Sequence, residues 1–208
     1  MSWTASPSGT VWRKRLHLLG PQEAGQVTSV VRYEKNSSFP PHEHPDGEEI
    51  FVLEGVFSDE HGDWPAGSYL LNPEGVRHAP FSEPGCTIFV KLRQYPGTER
   101  LHLATDTANM EWQTHTLPGV EQKPLYQQDG FEDCTVLQRW TSNINGQTIR
   151  YAAGAEIFIL AGNFEDEYGR YQRGDWMRLP KGFAHSPVTD ISCVLYLKEG
   201  GFAYMNTV

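Results

Sequence analysis

Gly47-Glu48-Glu49-Ile50-Phe51-Val52-Leu53-Glu54-Gly55 returns 107 residues later as Gly154-Ala155-Glu156-Ile157-Phe158-Ile159-Leu160-Ala161-Gly162. Carried without a gap as far as Lys91 and Lys198, this offset gives 17 identities in 45 positions. They include Phe57/Phe164, Asp59-Glu60/Asp166-Glu167, Gly67/Gly174, Pro73/Pro180, Gly75/Gly182, His78/His185 and Cys86/Cys193. Upstream the offset becomes 109, with Val11/Val120, Lys14/Lys123 and Leu16/Leu125, so the second copy lacks two residues between Leu125 and Cys134. A repeat of this length means two copies of one structural unit. The boundary falls near Asn109 and predicts domains 1–109 and 110–208.

Each copy reads as all-β. Thr28 to Tyr33, Ile50 to Leu53 and Thr87 to Lys91 are β-branched or aromatic runs of strand length. Turn signals separate them at Pro40-Pro41, Pro45-Asp46-Gly47, His61-Gly62-Asp63, Pro65-Ala66-Gly67 and Pro73-Glu74-Gly75. No stretch sustains three turns of helical periodicity; a helical segment between Arg100 and Met110 has weak support. About 100 residues of short strands and tight turns describe a sandwich or small barrel.

The 208 residues carry 38% hydrophobic side chains, enough for a core, and a formal charge of −9. An acidic surface repels phosphate backbones and anionic lipid, so neither nucleic acid nor membrane is expected as a partner. No apolar run approaches the ~20 residues of a spanning helix, and Met1 to Thr4 do not read as a signal peptide. Three widely spaced cysteines make no disulfide framework and no CxxC motif. A cytoplasmic protein is the expectation.

Three of the eight histidines fall into a pattern with a glutamate. His42 and His44, two apart on an extended chain, project from one face. Glu48 begins the next strand after the Pro45-Asp46-Gly47 turn, and His78 follows the turn at Asn72 to Gly75. Imidazole nitrogen and carboxylate oxygen are the usual ligands of Zn, Fe, Mn, Co or Ni.

With these residues in place the first half resembles a cupin. The first cupin motif is met by His42, His44, Glu48 and Gly55 at their expected spacings, with Asn36, a residue that tolerates a left-handed turn, standing for the leading glycine. The second is met by Gly67, Pro73, Gly75 and His78, with Ser82 replacing a final Asn. The run His42 to Glu49 and its sequel Phe57 to Gly62 are similar to the ChrR-type cupin of zinc-binding anti-sigma factors. This resemblance implies two tandem cupin (jelly-roll, double-stranded β-helix) barrels, a bicupin. It also implies one metal held by the equivalents of His42, His44, Glu48 and His78, with zinc as the family's ion and iron, manganese or nickel as alternatives. The helical Cys/His segment through which such factors engage a sigma factor has no counterpart here, so a sigma factor is not expected as a partner. Glu48 rather than its neighbour Glu49 is the expected ligand, because Glu49 persists as Glu156 in a copy that has lost the other donors.

At the matching positions the second copy carries Ile149, Tyr151 and Ala155, and keeps only His185. It is expected to be a degenerate, metal-free barrel with His185 as a core or pocket histidine. Cys86 and Cys193 are expected as buried small hydrophobes, Asp59-Glu60-His61 as a solvated turn on which His61 binds metal only adventitiously, and Ile50, Val52 and Tyr69 as pocket walls. Three functional classes remain at this point: a dioxygenase-type enzyme acting on a small-molecule ligand, a metal-dependent sensor, and a structural bicupin. Two homologous barrels are expected to pack as an intramolecular pseudo-dimer, compatible with a chain on its own or a homodimer.

Overall fold

A computed structural model describes residues 2–6 and 8–206, and among them the regular structure is strand, with three short 3-10 turns and no α-helix. Among the described residues two compact units result, 2–109 with 204–206, and 110–203. Residues 204–206 group with the first unit. Gln26 explains why: its Nε2 donates to the Tyr204 carbonyl at 2.7 Å, its Oε1 accepts from the Asn206 amide at 2.7 Å, and Arg100 stacks on the Tyr204 ring.

In the first unit the strands Val11–Leu19, Gln26–Tyr33, Cys86–Leu92 and Glu48–Asp59 lie side by side, all antiparallel. The long strand Glu48–Asp59 closes the barrel because its two halves pair differently. Its first half bonds to Cys86–Leu92 and Ser68–Asn72, its second half to Gly62–Pro65 and Phe81–Ser82. Between the halves sits Gly55, at φ 74°, with a Cβ position only 2.1 Å from the Gly85 carbonyl oxygen. Only glycine fits there. Gly162 repeats this in the second unit, at φ 74° and 2.0 Å from the Ser192 carbonyl oxygen. Each barrel also bulges beside this glycine, where the strand bends from one sheet toward the other.

The second unit lays out Val120–Gln127, Cys134–Trp140, Cys193–Glu199, Ala155–Ala161 and Trp176–Leu179 in the same order. Its registers match: Cys86 sits opposite Tyr33, and Cys193 opposite Trp140. A lysine is buried at the same place in each barrel, Lys91 donating to Thr28 at 3.2 Å and Lys198 to Asp133 at 2.6 Å. Apolar side chains at alternate strand positions, among them Ile50, Val52, Leu70 and Ile88 in the first unit and Ile157, Ile159 and Leu195 in the second, form one core cluster per unit.

The segment Arg100 to Met110 is not helical. Leu103–Asp106 pairs along the free edge of Ser68–Asn72, and only Thr107–Asn109 winds into a 3-10 turn, anchored by the Thr107 hydroxyl on the Gly67 carbonyl at 2.6 Å. An unpaired sheet edge captures a segment whose own helical preference is weak. Asn36 has φ 58°, the left-handed conformation expected of a residue in a glycine position.

Candidate metal centre

Two short strands, His42–Glu43 and Arg77–His78, pair so that His42 lies directly opposite His78. His44 follows on the same face, and its backbone is held by a bond from its amide to the Val76 carbonyl. The three imidazoles each present a nitrogen within 4.8 Å of the others. His44 Nε2 and His78 Nε2 face one another at 2.8 Å, and the Glu48 carboxylate oxygen Oε2 lies 3.5 and 3.4 Å from them. The three histidines singled out from the sequence thus cluster, and Glu48 lies against two of them, His44 and His78.

Their remaining atoms are held by neighbours that fix direction. His42 Nδ1 bonds to the Pro40 carbonyl at 2.9 Å, and His78 Nδ1 to Asp59 Oδ2 at 3.2 Å. With those nitrogens as donors, Nε2 of each ring is left with its lone pair turned to the centre. Asn72 Nδ2 donates to Glu48 Oε2 at 3.0 Å, and Asn72 Oδ1 in turn bonds to His102 Nε2 at 3.0 Å. Glu49, on the opposite face of the strand, instead accepts from the Tyr69 and Tyr95 hydroxyls.

Burial disfavours the charged form of His44 and lowers its pKa, against the attraction of Glu48. Burial opposes charge on His78 as well, but there the Asp59 bond and the charges of Glu48 and Asp59 prevail and raise the pKa. The donor set fits a divalent ion of borderline softness. Bonds of about 2.1 Å to each ligand place donors roughly 3 to 3.5 Å apart; the Glu48 oxygen stands in that range from both imidazole nitrogens, which are themselves slightly closer, at 2.8 Å.

A cavity of about 380 Å³ adjoins these donors, with His42, His44 and Glu48 in its wall. Its body is apolar, from residues such as Val31, Phe39, Phe57 and Val90. Ile50, Val52 and Tyr69 do not line it. Ile50 and Val52 share the face of Glu48 but are consumed by the core, and Tyr69 is turned to Glu49. Nor is Asp59-Glu60-His61 simply a solvated turn. Glu60 and His61 are exposed, whereas Asp59 is buried against His78 and also accepts from the His61 amide and the Trp64 indole. Its retention as Asp166 beside His185 was the available sequence signal.

The second unit reproduces the framework without the donors. Ile149 lies opposite His185 as His42 lies opposite His78. His185 Nδ1 bonds to Asp166 at 2.8 Å, and its Nε2 meets the Tyr151 hydroxyl at 3.4 Å, where the first unit has His44. Trp140, fully buried, fills the place of Tyr33 and packs on Phe164 and His185. The corresponding hollow is smaller, about 190 Å³, and is lined by residues such as Gln122, Val136 and Leu197.

The ChrR cupin-like domain family matches the chain twice, over residues 1–96 and 101–203. The chain belongs to that family. No curated protein sequence matches it. Among solved structures, this bicupin is similar to a provisionally assigned dioxygenase from Nostoc punctiforme, at 18% identity and a TM-score of 0.74, covering 95% of this chain and 76% of the other. It is also similar to a bacterial pirin from Escherichia coli in complex with nickel(II), at 15% identity, TM-score 0.65, and coverage of 95% and 94%. A third is the formate complex of Lactobacillus farciminis oxalate decarboxylase, at 9% identity, TM-score 0.66, and coverage of 96% and 84%. At such identities the likeness establishes the two-barrel cupin fold.

Proposed function

We propose that the first barrel is a metal-dependent oxygenase centre, in which His42, His44, Glu48 and His78 hold one divalent transition metal, and that the second barrel is metal-free. The observation that carries this reading is the cavity opening on the donors, with three of the four residues in its wall. A structural or sensory ion is normally closed off by its ligands, whereas a catalytic one keeps a position accessible. Held by those residues, such an ion would supply Lewis-acid polarisation of an enol or enolate substrate and a position for dioxygen.

The chain's own residues have separate tasks. Asp59 and the Pro40 carbonyl fix the tautomers of His78 and His42, so that both rings face inward. Asn72 turns the Glu48 carboxylate to the same point, and His102 braces Asn72 from behind. The apolar wall of Val31, Phe39 and Phe57 excludes water from the space above the donors. In the second barrel the buried indole of Trp140 and phenol of Tyr151 pack on His185, and the hollow is smaller.

Dioxygen uptake tests the reading. Protein loaded in turn with iron(II), manganese(II) and nickel(II) is expected to consume oxygen with at least one β-diketone or enol, and His78→Ala to abolish it. Metal bound at one equivalent with no uptake under any of these conditions would reduce the site to a sensory or structural one.

A further inference from the structure

In a chain of net charge −9, the cavity beside the metal donors is bordered by three arginines, Arg13, Arg15 and Arg93, and two carboxylates, Glu23 and Glu48. Arg13 and Arg15 alternate with Trp12 and Lys14 on the strand Val11–Leu19, and so share the inward face of the fully buried Val11. They sit opposite Val31 and Ser29, which also line the cavity. Inward arginines on a barrel strand are costly unless something anionic meets them. Here Glu23 does: its two oxygens bond to Arg13 Nη1 and Arg15 Nη2, each at 2.9 Å. The Glu23 side chain remains 60% exposed, against 25% and 21% for the arginines. It comes from the loop between two strands, so it can swing away without disturbing the barrel.

The second barrel supplies an independent comparison. Where the first has Arg13, Arg15 and Arg93, the second has Gln122, Pro124 and Gly200. The cationic mouth disappears together with the histidines, and the cavity shrinks from about 380 to about 190 Å³, as they would if all served one ligand.

We infer that the cavity takes a small organic carboxylate, its carboxylate clasped by Arg13 and Arg15 in place of Glu23 and its apolar body lying against Val31 and Val90 toward the histidines. This rests on the oxygenase reading and narrows its substrate to an anion with an apolar body. At about 380 Å³ the cavity is at the small end of the roughly 300–1,000 Å³ of ligand pockets, suited to a compact molecule. Glu23 acts as a resident competitor that keeps the arginines paired until the ligand arrives.

The test compares hexanoate with hexanamide, equal in shape and different in charge, by calorimetric or ligand-observed NMR titration of full-length protein whose metal content is measured in parallel. Hexanoate is expected to bind about tenfold more tightly, as charge-assisted bonds to two guanidinium groups allow. Arg13→Gln with Arg15→Gln should remove that preference, so that the two probes bind alike. Glu23→Gln should tighten hexanoate severalfold, a gain that loss of folding cannot mimic. Equal binding of the two probes, a preference that survives the double arginine variant, or weaker binding in Glu23→Gln would each overturn the inference. A carboxylate preference in protein that holds no metal would sustain the arginine clasp and remove the oxygenase reading. Metal-loaded protein with no such preference would do the reverse.

Discussion

At matched positions the first barrel carries His42, His44, Glu48 and Tyr33, and the second carries Ile149, Tyr151, Ala155 and Trp140. Around them the frame is the same in both: the close approach at Gly55 and Gly162, the buried Lys91 and Lys198, the buried thiols of Cys86 and Cys193, and an aspartate bonded to Nδ1 of His78 or His185. The difference teaches which groups belong to the fold and which to the site. An Asp–His pair survives where the other donors are gone, so on its own it contributes to barrel structure. What distinguishes the first barrel is the company His78 keeps and the empty space beside it. In the second, aromatic side chains surround His185 and the hollow is half the size.

The largest effect should come from those side chains. Trp140→Ala removes a fully buried indole and is expected to cost about 3–5 kcal/mol in denaturant unfolding. Tyr33→Ala should cost clearly less, since Tyr33 already borders a cavity. Equal losses at the two sites would mean that the second barrel is not packed where the first is hollow.

The glutamate pair sharpens the contrast within one strand. Glu48→Gln should abolish tight metal binding with little loss of melting temperature. Glu49→Gln should retain metal and destabilise by about 1–3 kcal/mol, because it weakens a buried acceptor of two tyrosine hydroxyls. The opposite pattern would exchange their roles.

The shared Asp–His pair should respond differently in its two settings. Asp59→Asn is expected to lower metal affinity about 10- to 100-fold in a chelator competition, as for other residues that orient a ligand. Asp166→Asn should leave metal affinity unchanged. A common response would place metal in both barrels.

The smallest contrast is expected among the thiols. Burial pushes the Cys86 thiol up to about 11 and the Cys193 thiol up to about 12. At pH 8 both should resist alkylation in native protein, while the partly buried Cys134 reacts first. An unfolded thiol ionises near about pH 8.5, so folding keeps these two protonated. Their contribution to stability is complete below that pH and is lost as pH rises through the folded values. Fast labelling of Cys86 alone would show that the first barrel opens more readily than the second.

Much of this was legible in the sequence. The repeat set the two-barrel architecture, and histidines at fixed spacing marked the cluster of His42, His44 and His78, because a strand pair needs only residue parity and turn length to bring them together. Asp59 was hidden because it stands in a turn-like Asp-Glu-His run, and nothing local reveals that its carboxylate folds back under His78. Asn72 and His102 are 30 residues apart and meet only through the pairing of the Leu103–Asp106 strand with a distant edge, the same pairing that takes up the segment with weak helical support. Arg13 and Arg15 were overlooked because inward arginines mimic an exposed basic strand until its partner face is known. The pocket walls were misplaced for a related reason: parity puts Ile50 and Val52 on the face of Glu48, but depth along the barrel decides whether a side chain meets core or cavity.

The most direct measurement is metal content by elemental mass spectrometry, on protein purified without added metal or a nickel column and again after reconstitution. His78→Ala and His185→Ala should be run beside the wild-type chain. One equivalent per chain, lost in His78→Ala and kept in His185→Ala, is the expected result. No bound metal after reconstitution, or metal lost equally in both variants, would contradict a single metal centre in the first barrel.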